Sequence, residues 1–135
     1  PFEREDTVKR LTKVHLMKMG AGSGGFFRSS IRLTTPLPIM FSSGGIFAKK
    51  HDGRTLDISP EGAKIQSNVI LKRGVTLTII LDIPKGGRIK VGARVANVQH
   101  DKLHSTYEAG VEFVKISDKD KDKLSNYIMQ EASKV

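Results

Sequence analysis

The sequence predicts a small, mainly β domain, an antiparallel barrel or sandwich ending in a C-terminal helix, and three observations carry that prediction. From Leu37 to Phe113, apolar residues alternate with polar ones in short runs, the period of strands that bury one face. Turn-forming residues break these runs at hairpin spacing. After Ser117 the apolar period lengthens to that of a helix.

Residues 3–18 read as a helix, with Val8, Leu11, Val14, His15 and Met17 or Met19 in a ragged apolar stripe among charges. Gly20-Ala21-Gly22-Ser23-Gly24-Gly25 follows. It matches G-x-G-x-x-G, but a charged helix precedes it where a dinucleotide-binding turn needs a buried strand. A flexible hinge is the better reading.

The first strand is Leu37–Phe41, and Ser42–Gly45 breaks it. A short run, Ile46-Phe47-Ala48, ends at a turn signal, His51-Asp52-Gly53. Arg54–Ser59 is the next strand, with Leu56 and Ile58 on the core face and Asp57 and Ser59 on the outer face. Pro60 stops it, and Gly62 allows a tight turn or the close approach of a ligand. Ala63–Ser67 continues the sheet. Val75, Leu77, Ile79, Leu81 and Ile83 alternate strictly, Pro84–Gly87 turns, and Ile89, Val91, Ala93 and Val95 alternate again. Tyr107, Ala109, Val111 and Phe113 form the last inward row. Ser117 is a helix N-cap with Asp118 and Asp120 in the first turn. Leu124, Tyr127, Ile128 and Ala132 make a stripe able to plug a barrel end.

Composition narrows the function classes. At 135 residues the chain is one domain by length. It has no cysteine, which excludes disulfides and Cys-based zinc sites and fits a reducing compartment. No apolar run is long enough to span a membrane. Pro1–Asp6 is charged and does not read as a secretory signal, so a cytoplasmic location is expected. The net charge is +9, and between Thr7 and His51 lie Lys9, Arg10, Lys13, Lys18, Arg28, Arg32, Lys49 and Lys50 with no acid. That field attracts anions. His100 and His104 flank a loop without an obvious third ligand, so no metal is expected. Asp118, Asp120 and Asp122 alternate with Lys119, Lys121 and Lys123, a solvated helix start. No nucleophile with a base and no paired carboxylates can be assembled, so an enzyme is not expected.

One constellation is specific. Arg28-Ser29-Ser30-Ile31-Arg32 sets two arginines four apart, and Asp57-Ile58-Ser59-Pro60-Glu61-Gly62 follows at strand distance. The chain here resembles the PilZ family of bacterial cyclic di-GMP receptors. Gly74–Leu77, Val91–Val95, Gly110–Phe113 and the final helix match that family's layout, so the resemblance covers about residues 28–130. It implies a six-stranded antiparallel β-barrel with a C-terminal helix over 26–135, and the helical extension and glycine-rich hinge over 1–25 lie outside the family's pattern. It further implies a non-catalytic receptor that binds cyclic di-GMP, changes conformation and signals to a downstream protein in motility, biofilm or exopolysaccharide control.

The chemistry of the ligand fits these residue types. Cyclic di-GMP carries two phosphates and two guanines. An arginine fork matches guanine O6 and N7 and stacks on a purine face. A carboxylate such as Asp57 suits the guanine N–H edge. By resemblance, Arg28 and Arg32 contact base and phosphate, Asp57, Ser59 and Gly62 complete the site, and Phe27, Ala63 and Gly110 are accessory positions. Many family members carry another arginine where Phe27 stands, a position that influences whether one ligand or an intercalated pair is held. The expected picture is a fixed strand half and a moving arginine loop. The rival functions are a basic barrel binding RNA or single-stranded DNA, which the small aromatic share (6%) disfavours, and a PilZ-like interaction module without ligand.

Overall fold

The computed structural model describes residues 31–44 and 48–134. The helix expected over 3–18, the glycine hinge, Phe27, Arg28 and the Ile46-Phe47 run lie outside them. Six strands form a closed antiparallel barrel: β1 (Pro38–Ser42), β2 (His51–Ser59), β3 (Gly62–Ser67), β4 (Thr76–Ile83), β5 (Gly87–Asp101) and β6 (Thr106–Ile116). Their order around the barrel is β1-β2-β3-β6-β5-β4, with β1 against β4 closing the ring. Helix α1 (Asp118–Ala132) follows.

The alternating sequences explain the interior. Leu77, Ile79, Leu81 and Ile83 of β4 are buried, as are Ile89, Val91, Ala93 and Val95 of β5. On β6 the inward row holds for Ala109 and Val111. Phe113 is half-buried against the core. Tyr107 departs from the inward expectation: it lies half-buried on the β5–β6 hairpin, its ring stacked on His100 with centroids 4.4 Å apart.

Helix α1 begins where expected. The Ser117 hydroxyl accepts from the Asp120 N–H at 3.1 Å, and Asp118 and Asp120 occupy the first turn. Asp120 also accepts from the Lys90 backbone N–H at 3.1 Å, tying the start of the helix to β5. Leu124, Tyr127 and Ile128 are buried in the shared core, so the helical stripe covers the barrel. No helix among the described residues is long and apolar enough to cross a membrane.

Two departures from the expected elements have physical causes. The turn signal His51-Asp52-Gly53 is the start of β2, paired with Phe41, Met40 and Ile39. A Cβ at Gly53 would lie 2.7 Å from the Gln66 carbonyl oxygen, so this glycine serves a close strand approach and not a turn. Strands β5 and β6 also run well past Val95 and begin before Tyr107. Residues 96–101 lack an apolar alternation, and it is pairing with β6, from Asn97↔Gly110 to Asp101↔Thr106, that keeps them extended.

Candidate ligand-binding site

Strand β2 does not alternate as its sequence suggests. Thr55 faces Ile65 and Asp57 faces Lys64, so the register slips by one residue and Leu56 opposes nothing on β3. This bulge puts Thr55 and Ile58 on the core face, both fully buried, and leaves Leu56 half-buried. Leu56 is therefore no core partner of Ile58. Asp57 and Ser59 stay on the outer side, opposite Lys64 and Gly62.

That outer side is not open to solvent. Residues 31–37 run antiparallel along the edge of β2 that β1 leaves unpaired. Leu33 and Ile58 exchange backbone hydrogen bonds of 2.7 and 2.8 Å. The Thr55 N–H donates to the Leu37 carbonyl at 2.9 Å. The Thr55 hydroxyl accepts from the Leu37 N–H at 2.8 Å and donates to the Thr35 carbonyl at 2.6 Å. This strap carries Arg32 over Asp57, and its Nη1 donates to Asp57 Oδ1 at 2.7 Å. The expected exposed acid is thus 8% exposed, beneath a guanidinium that supplies both charge and donors. From Arg32 to Leu37, hydrogen bonds tie this segment to β2.

The strap makes a specific prediction. In Thr55→Val the buried Leu37 N–H and Thr35 C=O lose their partner. Stability is expected to fall by about 2 kcal/mol, read as a lower urea midpoint with an unchanged slope.

Ser59 and Gly62 shape the β2–β3 turn. The Ser59 hydroxyl accepts from the N–H groups of Glu61 and Gly62 and donates to the Gly62 carbonyl, each at 3.2 Å. A Cβ on Gly62 would collide with the Val111 carbonyl oxygen of β6. The glycine therefore permits β3 to lie this close to β6, and it is this contact, more than turn geometry, that excludes a side chain. Ala63 is buried between Ile58 and Val111. Gly110 lies next to Lys64 on β6, its N–H donating to Asn97 Oδ1 at 3.2 Å.

Register brings these positions into one wall. Asp57, Lys64, Gly110 and Asn97 are successive partners across β2, β3, β6 and β5, and Ser59, Gly62, Glu112 and Arg94 form the neighbouring row. Two glycines thus leave bare backbone among Arg32, Asp57, Lys64 and Arg94. Lys64 lies 3.4 Å from Glu108, and Arg94 pairs with Glu112 at 2.6 Å. Sequence reading missed Lys64, Arg94 and Asn97, because only the strand register sets Lys64 beside Asp57 and carries the two rows across β6 to Asn97 and Arg94. A groove of about 240 Å³ adjoins this wall, lined by Ile31, Pro60, Glu61, Lys121 and Met129 among others, where the strap and turn meet α1.

Among the described residues no group of three or more His, Cys, Asp or Glu is placed to hold a metal. His100 is taken by Tyr107, and His104 Nδ1 lies 2.8 Å from Asp101 Oδ2. That contact holds the Asp101 carboxyl below its ordinary range.

The family model for the PilZ domain matches residues 26–130. The chain belongs to the PilZ domain family. Among solved structures, the PilZ chain superposes on the Bacillus subtilis inhibitor of motility MotI/DgrA with a TM-score of 0.64 at 17% identity, over 73% of this chain and 48% of that one. The PilZ domain of Escherichia coli YcgR with c-di-GMP gives 0.59 at 16% identity, over 80% and 98% of the two chains. The K. pneumonia MrkH–c-di-GMP complex gives 0.62 at 17%, over 76% and 51%. The PilZ chain therefore spans about half of MotI/DgrA and MrkH. No curated protein sequence matches it.

Proposed function

We propose that this PilZ domain is a non-catalytic cyclic di-GMP receptor whose site lies on the wall that starts at Asp57, beside the 31–37 strap. The observation that carries the reading is the 2.7 Å pair of Arg32 with Asp57, which joins the two halves of the motif across twenty-five residues of sequence. The family match and the likeness to the YcgR PilZ domain, solved with c-di-GMP, support the same ligand.

The roles follow from chemistry. Arg32 uses one nitrogen on Asp57, and the rest of its fork is a donor set for guanine O6 and N7 or for a phosphate. Arg28 supplies the second cation of the Arg-x-x-x-Arg segment. The Asp57 carboxylate orients Arg32 and accepts from guanine N–H donors. Ser59 acts by holding the turn backbone, and Gly62 and Gly110 leave a flat floor for a base. Lys64 and Arg94 extend the positive field toward the ligand's two phosphates. Binding alters the seating of the strap and of α1 at the adjoining groove, and a downstream protein in the cytoplasm reads that change.

Isothermal titration of the full chain with cyclic di-GMP tests the proposal and yields stoichiometry as well as affinity. Saturable binding at micromolar or lower ligand is expected. A folded chain that gives no binding well above that range ends the reading. If oligonucleotides bind instead, with affinity falling steeply in salt, the nucleic-acid rival takes its place.

A further inference from the structure

Among the described residues, the closed barrel leaves the far end of β5 open on one side. Strand β4 pairs with β5 as far as Thr76↔Arg94, and Gly74 and Val75 extend the ladder to Val95 through bonds of 2.8 and 2.9 Å. Beyond Val95, no described residue pairs with that side of β5, while β6 holds the other side to Asp101↔Thr106. Among the described residues, alternate backbone N–H and C=O groups along Ala96–Asp101, past the bulge at Ala96, are therefore unused on that side over roughly 20 Å.

Natural edges are usually guarded by lysine, proline or a covering element. Lysine and arginine number 23 in this chain, yet Ala96, Asn97, Val98, Gln99 and His100 include none and no proline. At the same end of the barrel, Leu103 at the hairpin tip is 86% exposed and Ile70 in the β3–β4 connection is 62% exposed.

We propose that the Ala96–Asp101 edge of β5 pairs antiparallel with the same edge of a second copy of this chain. A two-fold axis through Val98 sets Val98 against itself, Asn97 against Gln99 and Ala96 against His100. An axis through Gln99 sets Gln99 against itself, Val98 against His100 and Asn97 against Asp101. Neither register places like charges face to face, the condition a self-pairing edge must meet. Past the paired stretch, each hairpin tip runs toward the point where the other copy's Val95 is already taken by Val75. Leu103 then approaches the exposed apolar Ile70, and Asp101 approaches the exposed Lys72 and Arg73 of that connection. Opposite charges and two otherwise solvated apolar side chains meet there.

Sedimentation velocity of the full chain from low to hundreds of micromolar, without nucleotide, tests this. A reversible dimer that grows with concentration is expected. Gln99→Lys and Gln99→Glu alter an exposed side chain, and because Gln99 faces Glu108 on β6 the thermal unfolding of each is measured beside the parent's to show that the fold is kept. Each is expected to weaken self-association about fivefold or more by setting like charges opposite or diagonal. An equimolar mixture of the two is expected to recover the dimer. A chain that stays monomeric throughout overturns the proposal. So does a dimer indifferent to both substitutions, or a mixture no better than either variant alone. An edge that takes an extended peptide of another protein while the chain itself stays monomeric gives the first of these outcomes.

Discussion

Replacing Arg32 with alanine is expected to reduce cyclic di-GMP affinity on the order of 100-fold. The arginine is the described residue that offers a planar set of donors over Asp57, with 27% of its side chain exposed. One bidentate contact to a guanine edge is worth about 1–3 kcal/mol, and loss of the Asp57 pairing also removes the orientation that makes the contact. Together these give roughly 3 kcal/mol, or about two decades of affinity. The fold is expected to survive with a loss of about 1–2 kcal/mol, because the Leu33–Ile58 and Leu37–Thr55 backbone bonds do not involve the side chain. Arg88→Ala is the matched control. Arg88 pairs with Asp82 at 3.0 Å on the exposed β4–β5 turn, so its removal changes net charge equally. Calorimetric titration of both variants separates a specific contact from general attraction: a comparable loss in the two would refute the assigned role of Arg32.

Gly62→Ala is expected to act first on the fold. The added methyl would meet the Val111 carbonyl oxygen, a backbone atom held in the β3–β6 ladder between Ala63↔Val111 and Gly62↔Glu112. Relief requires opening that ladder or the Ser59 turn, at about 3 kcal/mol. For a domain of this size the melting temperature is then roughly 10 °C lower. Thermal unfolding followed by circular dichroism reads it directly. Should the variant melt with the parent, the strand contact relaxes, and clearance for the ligand becomes the reason for glycine at this position.

These two expectations divide the motif by mechanism. On the proposed reading, Arg32 and Asp57 act by their chemistry and Gly62 and Ser59 by shaping the backbone, and the four are spread from residue 32 to residue 62. The strap explains why the signature spans so many residues: the arginine segment must leave the barrel order and lie back along β2 before its guanidinium reaches the carboxylate.

Most of the barrel was legible in the chain. The β4 and β5 rows, the β2–β3 pair and the Ser117 cap lie close to where alternation and capping chemistry put them, since each depends on neighbours within a few residues. The misread positions are those where a distant partner decides. Gly53 resembles a turn residue, but the Gln66 carbonyl sets its identity. Leu56 resembles a core residue, but a bulge removes its place in the pairing. Asp57 and Ser59 resemble a solvated face, but the strap covers the one and the turn backbone absorbs the other.

By itself the sequence determined a mainly β domain, its helical end, its basic charge and a resemblance to the PilZ family, because alternation, capping and charge are local properties of the chain. Tertiary structure alone decided that the barrel closes through β1 and β4, that Arg32 meets Asp57, that Lys64 and Arg94 join them, and that the far edge of β5 is left open. Each of those facts is a matter of register between strands remote in sequence, and register is set by the sum of packing across the barrel.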